Sequence, residues 1–415
     1  MSKIIIQFNE ANFDFISKYC KKYHLPNLKK IINFQTKVLT SSEKEYEHLE
    51  PWIQWYSFYT GMKYADHRVA HLGDCLKKDH ISFFDQIASK ENKVGLFCAM
   101  NHKFNSNFEV FIPDPWTNTT SDNSMSSRLV SYALRFVVNN NVRFKLNFLS
   151  LFGLLIIIFP SMFNLRVIFK SIVSFLNKDR ASLAAYFDLF FLRYTLKRIK
   201  KNELDQSLIF LNGLAHIQHH FLKTSEFLSG NQEEDKILKC LKIYDTAFDF
   251  LNYFQDDNEI WFITALTQEK FTKDLNYWRL RDHDRLLEEI IEYNFSCAPR
   301  MTRDFELTFT NRKYAELAKE SLSECFIFDG EKKEPAFGFF DLENKSLFAS
   351  FIFSGANKNV DLIYKNKKIN LQEKIDFIAK KDGGHIGKGW AFSNVEVNFL
   401  EDKPLPIWEI NKLIL

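Results

Sequence analysis

The sequence predicts an α/β fold: a mostly parallel central sheet with helices on both faces, plus an inserted helical subdomain. Short apolar runs alternate with stretches of helical period, which is the rhythm of strand–helix–strand units. That rhythm stops in residues 121–201, which are helical in pattern and very apolar. We therefore expect an α/β domain formed by residues 1–120 and 202–415, interrupted by a hydrophobic, basic helical cap at 121–201.

The length and composition of the chain are those of a packed globular protein. The chain has 415 residues, of which 46% are apolar and 26% are charged, and these values are typical of packed globular domains. Its six cysteines show no close pairing, which argues against a zinc ribbon or a disulfide scaffold. The first residues, MSKIIIQF, lack the apolar stretch of a signal peptide, so we expect a cytoplasmic, reducing setting.

The elements of the first hundred residues follow from apolar spacing and from end signals. Proline is favoured at the first position of a helix and glycine just after its last turn. In order, we predict a strand at Ile4–Phe8, helices at Phe13–Tyr23 and Leu25–Ile32, a strand at Lys37–Thr40, a helix from Pro51 to Gly61, a helix at Ser82–Lys90 and a strand at Lys93–Asn101.

The sheet is expected to resume after the cap. An apolar run within Gln206–Phe221 leads into polar residues, a long helix is predicted at Glu233–Gln255, and Glu259–Lys270 contains another buried strand. The remaining residues alternate between apolar and polar side chains, as half-buried strands do. His385 lies between glycines near the end of the chain, and we predict a tight turn there.

The predicted cap is basic as well as apolar. Between Ser126 and Lys201, thirteen Lys or Arg side chains stand against two Asp, which indicates an anionic partner. Its most apolar run, residues 147–163, contains Pro160 and is seventeen residues long, the lower limit for a membrane span. Three interpretations stay open: a buried hairpin, a helix in a membrane surface or an acyl-chain groove, and a true span. Nucleic acid is disfavoured as a partner, because the cations are interleaved with aliphatic runs.

Polar residues follow three of the predicted strands. Asn9-Glu10 follows the first strand, Asn212 and His216 follow a later one, and Thr267-Gln268 follows a third. Ligands of open parallel sheets gather beyond the carboxyl ends of the strands. We therefore expect these residues, together with His385, to line one site.

The order of these motifs resembles that of the alkaline phosphatase superfamily, especially its nucleotide pyrophosphatase/phosphodiesterase branch. The first strand ends at Asn9, where the family has an aspartate, and LPNL matches a Pro-Asn-Leu stretch. Thr60-Gly61 matches a Thr-Gly pair that follows the family's nucleophile by about ten residues, and His67 comes next. NGLAH stands in place of Asp-x-x-x-His, ALTQE in place of a strand ending Ser-Asp-His-Gly, and GGHIGKG supplies a late histidine. The loose match spans nearly the whole chain.

Departures from the family pattern limit the metal that the resemblance implies. One of the family's two metal sites would here consist of Asn212, His216 and His385, so one carboxylate ligand has become an amide. The other site would require Asn9 and Thr267-Gln268, where no imidazole or carboxylate is left to bind an ion. The resemblance thus implies at most one divalent metal (Zn, Mn or Mg) and leaves a metal-free site open.

The position of the family's nucleophile is also changed. Ten residues before Gly61 stands Pro51, which cannot attack a substrate. Glu50, beside the predicted helix start, and Glu10, beside Asn9, are the candidate catalytic carboxylates, as nucleophile, base or compensating ligand. Both residues equally suit ordinary loop and helix-start positions.

Other side chains suit substrate binding, although packing or surface roles are more common for several of them. Trp52 offers an aromatic face and Arg300 a guanidinium that could clamp a phosphate. His219 and His220 follow His216, and helical spacing places His216 and His220 on one face. The full set of predicted substrate-binding residues is Asn9, Trp52, His67, Thr267, Gln268 and Arg300.

The leading hypothesis is an enzyme that cleaves or transfers a phosphate ester or a nucleotide- or lipid-linked sugar, as in bacterial surface glycan biosynthesis. Its expected partners are an anionic phosphorylated or nucleotide-linked substrate and a membrane surface or lipid-linked acceptor at the inner face of the bacterial membrane. Two alternatives remain open. One is a metal-independent glycosyl- or group-transferase on the same fold, and the other is a non-catalytic protein that binds a glycan or a partner.

Overall fold

Contacts in the computed structural model divide the chain into two units. Unit 1 comprises Met1–Lys270 and Gly383–Leu415, and unit 2 comprises Phe271–Asp382. The sequence-based division differs, because it assigned residues 271–382 to the α/β domain. The structure describes residues 2–139, 146–162, 164–229, 234–300, 303–329, 332–399 and 403–415.

Strands and helices alternate along unit 1, whereas strands dominate unit 2. The strands are β1 (Ser2–Phe8), β2 (Thr36–Ser41), β3 (Val94–Phe97), β4 (Val110–Ile112), β5 (Gln206–Leu211), β6 (Asn258–Thr264), β7 (Thr267–Leu280), β8 (Phe295–Pro299), β9 (Asp304–Phe309), β10 (Phe326–Asp329), β11 (Lys332–Pro335), β12 (Phe337–Glu343), β13 (Ser346–Phe351), β14 (Asp361–Tyr364), β15 (Lys367–Asn370), β16 (Ile375–Ile386), β17 (Lys388–Ser393) and β18 (Leu405–Pro406). The helices are α1 (Phe13–Lys22), α2 (Pro26–Ile32), α3 (Pro51–Thr60), α4 (Tyr64–His67), α5 (Phe83–Ala88), α6 (Met125–Asn139), α7 (Phe148–Ile158), α8 (Leu165–Leu176), α9 (Arg180–Asn202), α10 (Gly213–Phe221), α11 (Glu226–Ser229), α12 (Lys236–Phe248), α13 (His283–Leu287), α14 (Arg312–Ser323) and α15 (Asn411–Ile414).

Unit 1 is built on an eight-stranded sheet in the order β18-β2-β17-β6-β1-β5-β3-β4. All neighbouring pairs are parallel except those of β17, which runs antiparallel to both β2 and β6. The apolar run Ile4–Ile6 in β1 is fully buried, as expected of a central strand covered on both faces. The predicted α/β class with a mostly parallel sheet is confirmed.

Residues that favour helix ends stand at the start of α1 and at both ends of α3. Asn12 caps α1 by accepting a hydrogen bond from the Phe15 amide, and Pro51 begins α3. Gly61 ends α3 in the left-handed conformation at φ +70°, which glycine adopts at little cost.

The cap segment is helical, as its pattern predicts, and forms α6 to α9. Residues 140–145 and Phe163 of this segment lie outside the described part. The interpretation of α7 and α8 as a buried hairpin is wrong, because many of their large apolar side chains are exposed. Of the helices that the structure describes, none combines the length and apolarity needed to cross a bilayer.

Unit 2 has its own antiparallel architecture and its own core. One four-stranded sheet has the order β12-β13-β9-β8 and another has the order β11-β10-β14-β15. The core of unit 2 is a cluster of buried side chains that includes Phe305, Phe351 and Leu362. Side chains of α13 and α14 belong to the same cluster. The chain enters unit 2 along β7 and leaves it along β16, and these two strands pair as a ribbon.

Candidate functional site

The candidate site lies at the carboxyl ends of three adjacent strands of unit 1. Their order is β6-β1-β5, and each strand is followed by residues that the sequence analysis singled out. Asn9 and Glu10 follow β1, Asn212 follows β5, and Gln268 comes shortly after β6. Because the three strands are parallel neighbours, the residues after them meet at one edge of the sheet.

At the centre of the site, one carboxylate oxygen meets two imidazole nitrogens. Glu10 Oε2 lies 3.1 Å from His219 Nε2 and 3.1 Å from His385 Nε2. The two Nε2 atoms are 3.3 Å apart. Among the described residues, this is the one group of three His, Cys, Asp or Glu side chains whose donor atoms could hold a metal ion.

Backbone geometry and two amides hold Glu10. Its φ of +56° is unusual for a residue with a side chain and lets the chain turn sharply after β1. Asn9 Nδ2 donates to Glu10 Oε1 at 3.0 Å, and Gln268 Nε2 donates to Glu10 Oε2. The Glu10 carbonyl accepts from Gln218 Nε2 at 2.7 Å. The carboxylate is 4% exposed and therefore has little freedom to rotate.

His219 is placed by the way α10 begins. The Gly213 amide donates to the buried Asp188 carboxylate at 2.7 Å, and Tyr244 Oη donates to the same oxygen at 2.6 Å. A side chain at Gly213 would lie 2.6 Å from Tyr244 Oη and 2.7 Å from a main-chain oxygen of α9, so glycine is required. These contacts fix the rotation of α10 about its axis, and His219 consequently faces Glu10.

His385 reaches the site from the end of β16. The prediction of a tight glycine turn around His385 is wrong, because β16 continues to Ile386. The adjacent glycines permit close approach instead: a side chain at Gly383 would lie 2.7 Å from Gln268 Oε1 and 2.8 Å from a main-chain oxygen of Gln218. Substitution at Gly383 would therefore displace the strand that carries His385.

The outer nitrogens of both imidazoles face oxygen atoms. His219 Nδ1 lies 3.1 Å from the Gly383 carbonyl oxygen, and His385 Nδ1 lies 3.7 Å from Glu50 Oε2. A carbonyl oxygen only accepts, so Nδ1 of His219 carries a proton. Nε2 then either carries a second proton, which it donates to Glu10, or offers its lone pair to a metal ion. Protein-bound metals are commonly supported in this way, by a carbonyl or carboxylate behind each histidine ligand.

The two imidazoles determine the charge state of Glu10. Burial on its own would raise the pKa of this carboxyl, but the charges of His385 and His219 and their hydrogen bonds hold it well below its ordinary value. Glu10 is therefore a carboxylate at neutral pH, as a metal ligand must be.

The spacing of the three donor atoms fits a bound cation. A tetrahedral ion with bonds of about 2.0–2.1 Å keeps its ligand atoms roughly 3.3 Å apart, close to the 3.1–3.3 Å separations found here. Two lone pairs and a negative oxygen at these distances would repel one another unless a proton or a metal lay between them. Two imidazoles and a carboxylate suit zinc and other transition metals better than magnesium, which prefers oxygen ligands.

A network of amides occupies the region beside the triad where the sequence analysis considered a second metal site. Asn9 Nδ2 donates to Asn212 Oδ1 at 2.8 Å, and Trp55 Nε1 donates to Asn9 Oδ1 at 2.8 Å. Gln268 Nε2 also donates to the Ala215 carbonyl at 3.0 Å. These hydrogen bonds form without a cation, whereas two carboxylates at the same separation would need a cation or a shared proton.

Several predicted site residues lie outside the triad. His216 is exposed and stacks edge-on against His220 at 4.6 Å, so the expected His216–His220 face exists but is separate from Glu10. Asn212 binds Asn9 and contributes no donor to the triad. Thr267 is fully buried. Arg300 belongs to unit 2 and pairs with Glu306.

Trp52 and His67 make internal hydrogen bonds. Trp52 Nε1 donates to the Ala70 carbonyl at 2.8 Å. The His67 ring is buried, accepts from the Val69 amide at Nδ1 and lies 2.9 Å from Ser57 Oγ through Nε2. Burial, followed by the charges of His80 and Lys78, lowers the pKa of His67 to about 3. These contacts favour a structural role for both residues.

His219 is the site residue that the sequence analysis did not select. It lies three residues after His216 in the same helix, and helical spacing alone cannot say which of the two faces the sheet edge. The available signal in the sequence was the adjacent pair His219-His220. Adjacent residues of a helix point in different directions, so this pair places a histidine on each of two sides of α10.

Comparison with known proteins gives a similar fold at very low sequence identity. No protein-family model matches the chain, and no curated protein sequence is significantly similar to it. Phosphonoacetate hydrolase from Sinorhizobium meliloti 1021, solved in complex with phosphonoacetate, is 10% identical with a TM-score of 0.45, and the match covers 99% of this chain and 94% of that one. Human ectonucleotide pyrophosphatase/phosphodiesterase 5 is 8% identical with a TM-score of 0.42, over 100% of this chain and 94% of that one.

Both matches extend over nearly the whole of this chain. At identities of 8–10% and TM-scores of 0.42–0.45, this likeness says nothing about substrate or activity. What the site can do must therefore be inferred from its own side chains.

Proposed function

We propose that the chain is a hydrolase of phosphate monoesters or diesters that uses one divalent metal ion, most suitably zinc, held by Glu10, His219 and His385. The observation that carries this proposal is the convergence of the three donor atoms within 3.3 Å of one another. Three protein ligands leave one tetrahedral position for a substrate oxygen or a water molecule, as in catalytic rather than structural zinc sites. The bound ion would polarise a phosphoryl oxygen or lower the pKa of water.

The surrounding residues of this chain have separate tasks in the proposed reaction. Asn9 and Gln268 hold the Glu10 carboxylate in place. Glu50 Oε2 lies 3.7 Å from His385 Nδ1, at ion-pair distance behind the ring, and the Glu50 side chain is 37% exposed. Because Glu50 is the N-cap residue of α3, the amide groups of that helix start also favour an anion there. Glu50 is therefore proposed as a positioning carboxylate for His385 rather than as a nucleophile.

A single metal is proposed because amides replace the carboxylates that a second ion would need. Asn9, Asn212 and Gln268 are bonded within the protein. The wider hypothesis of a role in bacterial surface glycan biosynthesis stays a prediction, and so does group transfer in place of hydrolysis.

The test compares two histidines of the same helix. Purified wild-type protein, His219→Ala and the matched control His216→Ala are analysed for bound zinc by mass spectrometry and for hydrolysis of p-nitrophenyl phosphate and bis-p-nitrophenyl phosphate. We expect His219→Ala to lose the metal and at least 100-fold in activity, and His216→Ala to keep both, since its side chain is outside the triad.

Three results would contradict the proposal. Wild-type protein that stays metal-free after incubation with excess zinc would remove its basis. Loss of metal in His216→Ala but not in His219→Ala would favour the ligand set expected from the sequence. Transfer activity on a nucleotide sugar that survives a chelator would favour the metal-independent transferase.

A further inference from the structure

The hairpin of α7 and α8 presents large apolar side chains to solvent. Eleven of its side chains are at least about half exposed, whereas isolated exposed apolar residues are normal on any protein surface. A run of exposed apolar residues along two consecutive helices is not normal. They are Phe148, Leu149, Phe152, Leu155, Phe159, Met162, Leu165, Phe169, Ile172, Phe175 and Leu176.

Small residues of the same hairpin face the protein. Ser150, Gly153 and Ser161 are buried in and just after α7, and Ser174 is buried in α8, as are the apolar Ile157 of α7 and Val167 of α8. A side chain at Gly153 would lie 2.6 Å from Ala133 Cβ, so α7 approaches α6 closely. Mostly small residues inside and most of the large apolar residues outside reverse the usual pattern of water-soluble helices and match that of helices that face lipid.

The charged residues within this hairpin have one sign. No Asp or Glu occurs between Asn147 and Lys178, while Arg166, Lys170 and Lys178 are exposed. Cations beside an apolar helical surface complement the anionic headgroups of a bilayer, where each contributes to binding. A second copy of the same surface would instead bring these cations together.

The helix lengths exclude a span by this hairpin. α7 has 11 residues and α8 has 12, which gives each about 17–18 Å at 1.5 Å per residue, against roughly 30 Å of hydrocarbon. The polar caps Asn147 and Asn164 also stand at the starts of both helices. These features suit helices that lie in the interface plane.

We propose that the surface formed by α7 and α8 docks the protein on a bilayer that contains anionic lipid, with the exposed Phe, Leu and Ile side chains entering the headgroup boundary and Arg166, Lys170 and Lys178 contacting phosphates. This proposal is independent of the proposed hydrolase activity. It concerns a different surface and would hold even if no metal bound to Glu10.

The test measures co-sedimentation of the full-length protein with large vesicles of phosphatidylcholine alone or with 30% phosphatidylglycerol. We expect binding to the anionic vesicles and at least tenfold weaker binding to the neutral ones. Phe152→Asp combined with Phe169→Asp should abolish binding, and Arg166→Glu combined with Lys170→Glu should weaken it about 30-fold or more. The matched controls Ile81→Asp and Lys21→Glu change equally exposed residues elsewhere and should bind as wild type.

A second measurement does not depend on disruptive variants. In Phe169→Trp, brominated lipids should quench the added tryptophan fluorescence, and in the control Ile81→Trp they should not. Absence of vesicle binding by the wild type, or equal loss in Ile81→Asp, would overturn the proposal. So would a stable dimer in sedimentation analysis that Phe152→Asp with Phe169→Asp turns into monomer, because a second copy would then cover this surface.

Discussion

At Asn9, an amide in place of a carboxylate changes which hydrogen bonds the site can form. Its Oδ1 accepts from Trp55 and its Nδ2 donates to both Glu10 and Asn212. An aspartate has no donor, so it would set an oxygen against Glu10 Oε1 and against Asn212 Oδ1. The amide therefore does two things: it keeps Glu10 in place, and it makes a second cation unnecessary.

Asn9→Asp should destabilise the metal-free protein. Two hydrogen bonds would be lost and a second buried carboxylate would lie next to Glu10, so we expect a loss of about 2–4 kcal/mol in the free energy of unfolding. Urea denaturation at pH 7 in the presence of a chelator measures it. Asn107→Asp, on an exposed loop, is the control, and equal stability of the two variants would contradict this account.

Glu50→Gln tests whether Glu50 supports His385. Removing the carboxylate behind a histidine ligand typically lowers metal affinity 10- to 100-fold, and we expect a loss in that range. Competition with a chromogenic chelator measures the affinity for zinc. Glu45→Gln, exposed just before the same segment, should bind as wild type. Unchanged affinity in Glu50→Gln would assign Glu50 to a role other than positioning.

At the scale of elements, α10 depends on a buried carboxylate in α9. Asp188 accepts hydrogen bonds from Gly213 and Tyr244. Burial raises the pKa of Asp188 to about 6, and the hydrogen bonds to Tyr244 and Gly213 oppose that rise. Because the folded protein holds this proton more tightly than an unfolded chain does, the contribution of Asp188 to stability is complete below pH 4 and is lost as the pH rises through 6.

Tyr244→Phe should therefore cost more stability at high pH than at low pH. At pH 8 the variant leaves an ionised, buried carboxylate with one donor fewer, and we expect a loss of about 2–3 kcal/mol; at pH 5, where the carboxyl is largely protonated, about 1 kcal/mol. Urea denaturation at both values measures the difference. Tyr253→Phe, whose ring is 80% exposed, should show no loss at either pH. Equal losses for Tyr244→Phe at pH 5 and pH 8 would contradict the assigned role of Asp188.

At the scale of the whole molecule, unit 2 has a core of its own. The large buried side chains of unit 2 form one cluster that lies entirely within residues 278–375. A segment of this length with its own continuous core is within the size range of domains that fold alone.

We accordingly expect residues 271–382 to fold when expressed alone. Circular dichroism should show a cooperative thermal transition, and Phe305→Asp, which places a charge in the buried cluster, should abolish it. Phe339→Asp is the control because its ring is 67% exposed. A gradual, non-cooperative transition of the wild-type fragment would show that its core depends on unit 1.

The sequence by itself determined the alternation of strands and helices, the helix ends at Pro51 and Gly61, and the polar clusters after β1, β5 and β6. These features depend on neighbouring residues, through apolar period and capping, and local signals are readable from one sequence. Only the tertiary structure decided that His219 rather than His216 meets Glu10, that His385 arrives on a strand, and that α7 and α8 expose their apolar side chains. The physical reason is the same in each case: the rotation of a helix or the partner of a strand is fixed by contacts between residues far apart in the chain, such as Gly213 with Asp188 and Gly383 with His219.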